Sequence, residues 1–184
     1  MTIETLKNAL PESAKDIKIN LNTLLGEGEI PGLTAVQVWA TALACAYATR
    51  SQPVIAAVYE DSAAYLSEAD TRAAQIAATM MAMNNVYYRA MHLIEDPVLK
   101  SLPVGLRMQT IGNPGVSKVD FELYCFAVSA INGCGACLVS HTHQVITHGL
   151  SHQGVQLALR IASVIHATAQ ALVIVGVKDL HHQL

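Results

Sequence analysis

Residues 117–148 read SKVDFELYCFAVSAINGCGACLVSHTHQVITH, and this stretch decides the fold of the chain. Apolar side chains recur every three or four residues on both sides of Asn132-Gly133, as on the buried face of a helix. Ser117 with a carboxylate three residues later is typical of a helix start, and Asn-Gly tolerates the positive φ with which helices end. The stretch therefore predicts two helices, 117–131 and 134–148, joined by a turn.

The rest of the chain has the same helical character. Alanine and leucine dominate, and strict alternation of apolar and polar residues is rare. Glycines and prolines break the pattern in two regions, 26–32 and 97–115. Helices are predicted over 2–9, 12–25, 34–50, 53–65, 68–94, 117–131, 134–148 and 152–177. We expect an all-α, compact fold that forms a single domain over residues 1–184.

A weak internal repeat divides these helices into two sets of three. Displacing the chain by about 83–85 residues places the helices from 34 to 94 over those from 117 to 177. Under this alignment Trp39, Ser51 and Val54 take the places of Glu122, Cys134 and Cys137. We hypothesise two similar halves, about 1–97 and 98–184, of which only the second kept the chemistry.

The composition excludes two classes of partner. The net charge is −3, so the surface offers no basic field for nucleic acid or an anionic membrane. Hydrophobic residues make up 52% of the chain and charged residues only 14%, which favours an exterior partly covered by another subunit. We expect an oligomer that binds neither nucleic acid nor membrane.

The lack of a recognisable targeting signal favours a cytoplasmic protein. Residues 1–10 lack the basic start and apolar run of a signal peptide. The most apolar stretch, 155–177, carries Arg160 and His166, which favours a buried helix over a membrane span. Four cysteines without an export signal argue against a structural disulfide framework and favour buried thiols, metal ligands or redox groups.

Four side chains of the quoted stretch could act together. Cys134 lies in the first turn of its helix, where unpaired N–H groups and the helix dipole favour thiolate over thiol. Cys137 follows on the same helix face, so the two sulfurs can form a bond. His141 lies one turn further, where it can take the Cys137 proton directly or through a water. Glu122, on the preceding helix, would hold the imidazole tautomer if the turn is tight.

Other interpretations use the same cysteines. A zinc site could take Cys134, Cys137, His141 and His143, but His143 falls on the opposite helix face and the chain has core to spare, so we predict no bound metal. A thioredoxin fold would suit Cys-Gly-Ala-Cys, but no βαβ pattern surrounds it. A redox-sensing protein stays open as a second class. The residues alone also leave open which sulfur attacks, because thioredoxin-type sites use the first cysteine whereas His141 is spaced to serve the second.

Residues outside this group carry weaker signals. Cys45 and Cys125 lie in apolar helical stretches and are predicted to be buried and inert. Asn84-Asn85, followed by 87–89 (Tyr-Tyr-Arg), is unusual in such a helix. We expect these residues to line either the active-site cleft or an interface between protomers.

With these residues the sequence resembles the alkyl hydroperoxidase D (AhpD) family, within the wider carboxymuconolactone decarboxylase-like group. The resemblance covers nearly the whole chain. It is carried by segments 10–20, 83–89, 105–108, 113–115 and 121–141, the last of which holds Glu122, Cys134, Cys137 and His141.

The resemblance implies an all-helical fold, commonly assembled as a homotrimer, and a role in peroxide defence. Family members reduce a partner peroxiredoxin, the alkyl hydroperoxide reductase AhpC, and have weak direct activity on hydroperoxides. They hold no bound cofactor, and a dihydrolipoyl group on a carrier protein re-reduces them. The wider group includes decarboxylases, but ring-lactone decarboxylation needs no dithiol, which argues against that activity here.

The resemblance also assigns roles to the four residues. It makes Cys137 the attacking thiol, which forms a sulfenic acid or mixed disulfide, and Cys134 the proton donor and resolving thiol. It makes His141 the general base and Glu122 the carboxylate of the proton relay. Some members carry a histidine where this chain has Ala136, a difference that bears on the thiol pKa values.

Overall fold

Helices make up the fold, and no β-strand occurs in the part of the chain that the structure describes. This computed structural model describes residues 1–26, 28 and 31–181. The helices are α1 (Ile3–Ala9), α2 (Lys15–Leu25), α3 (Ala35–Thr49), α4 (Gln52–Ser62), α5 (Glu68–Ile94), α6 (Pro97–Ser101), α7 (Lys118–Ile131), α8 (Gly135–Thr147) and α9 (His152–His181). The all-α prediction is confirmed.

Three short elements differ from the prediction. The segment predicted as one helix over 12–25 begins with a 3₁₀ turn, Glu12–Ala14. Helix α6 and a second 3₁₀ turn, Gln109–Gly112, lie in the region expected to be loop. Asp96 caps α6 by accepting from the N–H groups of Val98 and Leu99, so local hydrogen bonds form this helix without a buried apolar face.

Helices α3 and α7 form the centre of the molecule. They pack on each other, and each also packs on α5 and α9. All residues over 38–46 of α3 and 121–129 of α7, apart from the half-buried Glu122, are buried. A helix that is apolar all round is stable only when other helices surround it, which explains why these two are central. Helix α4 flanks α3, and α8 flanks α7.

The main packing partners correspond when α3, α4 and α5 are exchanged for α7, α8 and α9. The caps correspond as well. Thr34 and Ser117 cap α3 and α7 through their side chains, and Ser67 caps α5 in the same way. Ser151 accepts from the Gly154 N–H at the start of α9. We therefore propose that the two triplets are similar repeats, and superposing them is the direct test.

Helix α9 between His152 and Gly176 is long and apolar enough to cross a membrane by length and composition alone. In the structure, however, it packs on α2, α3, α4 and α7. Leu157, Ile161 and Ile165 are buried in the hydrophobic core that these helices share. Helix α9 therefore packs one face into the core, which agrees with the prediction of a packed helix rather than a membrane span.

Candidate active site

The cysteine pair lies where α7 turns into α8. Cys134 is the N-cap of α8, and a disulfide joins it to Cys137, with the two Cα atoms 5.3 Å apart. Cys134 is fully buried, whereas Cys137 is 7% exposed. Of the two sulfurs, the second is therefore the one that a reactant can approach from solvent.

A tight turn fixes Cys134 in this place. Gly133 adopts a left-handed conformation, with φ +67°, which glycine reaches without the steric penalty that a Cβ would bring. The N–H of Cys134 then donates to the carbonyl oxygen of Ser129 at 3.1 Å, which satisfies an acceptor at the end of α7. Asn132-Gly133 thus ends α7 as predicted and starts α8 within two residues.

The sulfur of Cys134 performs the capping function that serine has at other helix starts. It accepts from the Cys137 N–H at 3.3 Å. This N–H belongs to the first turn of α8, where backbone N–H groups lack helical partners and the dipole is positive. Both effects stabilise negative charge on the Cys134 sulfur, so this cysteine is a good leaving group when the disulfide is attacked.

Glu122 and His141 form a hydrogen-bonded pair beside the disulfide. His141 Nδ1 lies 2.7 Å from Glu122 Oε2, and both side chains are mostly buried. A carboxylate can only accept, so Nδ1 carries the proton and the neutral ring keeps its lone pair on Nε2. The predicted approach of Glu122 to the site through a tight turn is realised.

A cavity of about 290 Å³ opens between α5, α7 and α8. Cys137, Glu122 and His141 contribute to its wall. The remaining wall consists of Met81, Asn84, Tyr88, Met108, Ile111, Phe121, Cys125, Ala136 and Ser140. The site is therefore a small, mainly apolar pocket with a reactive sulfur and an acid–base pair on its surface, the usual form of a small-molecule site.

Polar side chains of α5 form hydrogen bonds to the end of α7 and to the turn between α7 and α8. Asn85 donates to Ser129 Oγ at 2.9 Å and accepts from Asn132 Nδ2 at 2.9 Å. Arg89 donates to the carbonyl oxygen of Asn132. Asn84 and Tyr88 line the cavity directly, as expected if this segment forms part of the cleft.

The other two cysteines are buried, as predicted. Burial raises the pKa of both thiols, and the charge of Glu122 raises the pKa of Cys125 further. Cys125 also lines the cavity, a position that was not predicted from the sequence. The available signal was its spacing of three residues from Glu122, which places both side chains on one face of α7.

No group of three or more metal-binding side chains comes together among the described residues. His143, the fourth member of the hypothetical zinc set, is exposed on α8. The cysteines are joined to each other, and His141 is engaged by Glu122. The geometry therefore favours disulfide chemistry over metal binding at these positions.

Comparison with known proteins agrees with this geometry. The profile of the Carboxymuconolactone decarboxylase family matches residues 97–177, which contain all four site residues. The alkyl hydroperoxide reductase AhpD of Streptomyces griseus is 48% identical over 94% of this chain and 96% of its own. The AhpD proteins of Rhodospirillum centenum and Coxiella burnetii are 47% and 45% identical, again over 94% of this chain and over 91% and 97% of theirs. The chain therefore belongs to the AhpD family.

Proposed function

We propose that this protein is an alkyl hydroperoxide reductase that works by thiol–disulfide exchange between Cys134 and Cys137. One observation carries the proposal: the disulfide presents a single sulfur to an apolar cavity whose wall also holds a hydrogen-bonded Glu–His pair. Relatives with the name alkyl hydroperoxide reductase AhpD support the same activity.

The oxidative half-reaction begins from the reduced protein. The Cys137 thiolate, formed when His141 takes its proton, attacks the terminal oxygen of the hydroperoxide. The O–O bond breaks, the alkoxide takes a proton and leaves as alcohol, and Cys137 becomes a sulfenic acid. Cys134 then attacks the Cys137 sulfur, and the S–O bond breaks to release water and form the disulfide. Glu122 stabilises the charged imidazole throughout.

The reductive half-reaction returns the two thiols. An external dithiol attacks the Cys137 sulfur, and Cys134 leaves as a thiolate that the Cys137 N–H and the helix start stabilise. The second thiol of the donor then resolves the mixed disulfide and leaves oxidised. We propose that the donor is a dihydrolipoyl group on a carrier protein, because its narrow arm suits a cysteine residue that is only 7% exposed.

The proposal extends to partners and assembly. The disulfide of the peroxiredoxin AhpC is the proposed second oxidant, and Cys137 attacks it as it attacks peroxide. We propose a cytoplasmic homotrimer. Several large apolar side chains between the second half of α5 and residue 104 are exposed and would be covered by a neighbouring protomer: Val86, Leu93, Ile94, Val98, Leu99 and Leu102.

The test is rapid-mixing oxidation of the reduced protein by an alkyl hydroperoxide and by the oxidised peroxiredoxin, side by side. Each oxidant is expected to convert the dithiol to the disulfide, and dihydrolipoamide is expected to reverse the conversion. A Cys134→Ser variant should trap a mixed disulfide on Cys137 with the peroxiredoxin. A stable adduct on Cys134 in the Cys137→Ser variant would instead reverse the assignment of the attacking sulfur.

A further inference from the structure

Two adjacent asparagines of α5, Asn84 and Asn85, are both buried but differ in their hydrogen bonds. The side chain of Asn85 is engaged by Ser129, Asn132 and the sulfur of Met81. The Oδ1 atom of Asn84 has no partner among the described residues, although Asn84 is only 5% exposed. The described residues therefore satisfy the side-chain amide of Asn85 but leave the Asn84 oxygen without a partner.

An unpaired buried amide oxygen is unfavourable, because it loses its bonds to water and gains none in exchange. Such groups are rare in native proteins, and a functional role is one of the reasons for which they are kept. Asn84 lies on the wall of the same cavity as Cys137. The Oδ1 atom has almost no accessible surface of its own, so the side-chain amide must rotate to offer this oxygen to a molecule that enters the cavity.

We propose that Asn84 binds the peroxide group of an organic hydroperoxide and holds it against the Cys137 sulfur. The inference rests on the proposed function and assigns it a substrate-binding residue. The hydroperoxide O–H donates to Asn84 Oδ1, and the Asn84 amide N–H is available to the second oxygen, which becomes the leaving alkoxide. Attack by Cys137 then breaks the O–O bond, the alkoxide takes a proton and departs as alcohol, and the OH group stays on sulfur.

The cavity also sets the class of hydroperoxide. Met81, Met108, Ile111 and Phe121 give it an apolar surface, which suits an alkyl chain and offers nothing to hydrogen peroxide beyond the peroxide contact. Its volume of about 290 Å³ lies at the lower end of ligand sites. The preferred substrate is therefore an organic hydroperoxide with an apolar group rather than hydrogen peroxide.

The test compares Asn84→Leu with Asn85→Leu, since leucine has the same branched skeleton as asparagine and its side chain cannot form hydrogen bonds. For Asn84→Leu we expect the second-order rate constant for oxidation by a straight-chain alkyl hydroperoxide to fall about tenfold, as for one lost hydrogen bond. The Tm should stay level or rise, because the unpaired buried amide is gone. For Asn85→Leu, which removes satisfied bonds, we expect the Tm to fall by several degrees.

Two further measurements separate a substrate contact from other roles. The ultraviolet titration of the Cys137 thiolate should be the same in Asn84→Leu as in the wild type. The wild type should react faster with the straight-chain hydroperoxide than with hydrogen peroxide. An unchanged oxidation rate, a moved thiolate titration or a Tm that falls as in Asn85→Leu overturns the role of Asn84. A wild-type dithiol that no hydroperoxide oxidises overturns the proposed function together with it.

Discussion

The triplets α3–α5 and α7–α9, which we propose are similar repeats, differ in that only the second holds the four site residues. Ser51 begins α4 as Cys134 begins α8, with extended backbone at both caps. Arg50 and Gly133, the residues just before these caps, are both left-handed, at φ +61° and +67°. Gln37 and Asp120 lie 83 residues apart in the chain, and Gln37 Nε2 donates to Asp120 Oδ1 at 2.7 Å. Positions that correspond in the two triplets thus meet in space.

The side chains at the corresponding positions decide whether a site exists. Val54, in place of Cys137, is fully buried. Trp39, in place of Glu122, stacks on Tyr65 with ring centroids 5.0 Å apart. Helix α1 packs on α4, and the Ile3 N–H donates to Asp61 there, whereas the described contacts of α8 are mainly with α5, α7 and α9. The backbone alone therefore does not make the site, because the positions that correspond to Glu122, Cys134 and Cys137 hold other side chains and helix α1 packs on α4.

The sharpest test of this difference removes the reactive sulfur. Cys137→Ser should lower peroxide turnover by about 10³-fold or more, because the hydroxyl of serine is a far weaker nucleophile than a thiolate. Ser51→Ala, at the corresponding helix start, should leave turnover unchanged. A dihydrolipoamide-coupled peroxidase assay measures both. Equal activity in Cys137→Ser and the wild type would contradict the comparison.

Glu122→Gln should have the next largest effect. Glutamine keeps the size of the side chain but loses the charge that faces His141 Nδ1 at 2.7 Å. We expect kcat to fall on the order of 10²-fold, as for an impaired general base. Glu60→Gln, an exposed carboxylate of α4, is the matched control and should behave as wild type. If both variants retained full kcat, the Glu–His pair would have no part in proton transfer.

Each triplet also buries one free thiol, and these should behave alike. Burial raises the pKa of Cys45 and Cys125 above the ordinary value of 9.0, so both stay protonated in the folded chain while the unfolded chain ionises. The unfolded state then binds fewer protons, and the free energy of unfolding should fall above about pH 9 by about 1.4 kcal/mol per pH unit for each thiol. Denaturant titrations at increasing pH measure the slope, and Cys45→Ala and Cys125→Ala should each reduce it. A slope that both variants leave intact would rule out the thiols as its source.

Asp120→Ala should remove the hydrogen bond that joins the two triplets. The carboxylate accepts from Gln37 Nε2 and from the Ser117 hydroxyl, so its loss leaves two partners unpaired. We expect a loss of about 2 kcal/mol in the free energy of unfolding. Asp70→Ala removes a carboxylate whose bonds are confined to the cap of α5, and should lose about 1 kcal/mol. An equal loss in the two variants would show that the bond between the triplets adds no stability.

The smallest expected effect concerns the two left-handed positions. Gly133→Ala should destabilise the protein by about 1 kcal/mol, since a Cβ is unfavourable at φ +67° even though the nearest outside atom would lie 3.9 Å away. Arg50→Gly should stabilise it by about 0.5 kcal/mol because the same strain is relieved. Thermal unfolding of the two variants measures both changes, and opposite signs are the result that supports equivalent turns.

Local signals in the sequence were sufficient to predict most of the fold. Serine and threonine caps, Asn132-Gly133 and the helical period placed the eight predicted helices close to their observed positions. Helix α6 was missed because five residues are too few to show a period, although Asp96-Pro97 carries a start signal. The spacing of Cys134, Cys137 and His141 within one helix fixed their common face.

The cavity could not be predicted in the same way. Met108 and Ile111 enter it from a 3₁₀ turn and its flank, where no periodic signal exists. Asn84 and Asn85 look alike in the sequence, and only tertiary packing distinguishes the satisfied amide from the unpaired one. The spacing within a helix is a local property, whereas a cavity depends on how three helices meet.

The complete burial of Cys134 has a consequence for the kinetics. In the proposed mechanism, both oxidation and reduction of the cysteine pair take place at the Cys137 sulfur, because Cys134 has no accessible surface. In that mechanism oxidant and reductant therefore react at Cys137 in turn, and we expect a ping-pong scheme. Double-reciprocal plots at several dithiol concentrations should be parallel, and each substrate in excess should compete with the other for a single point of access.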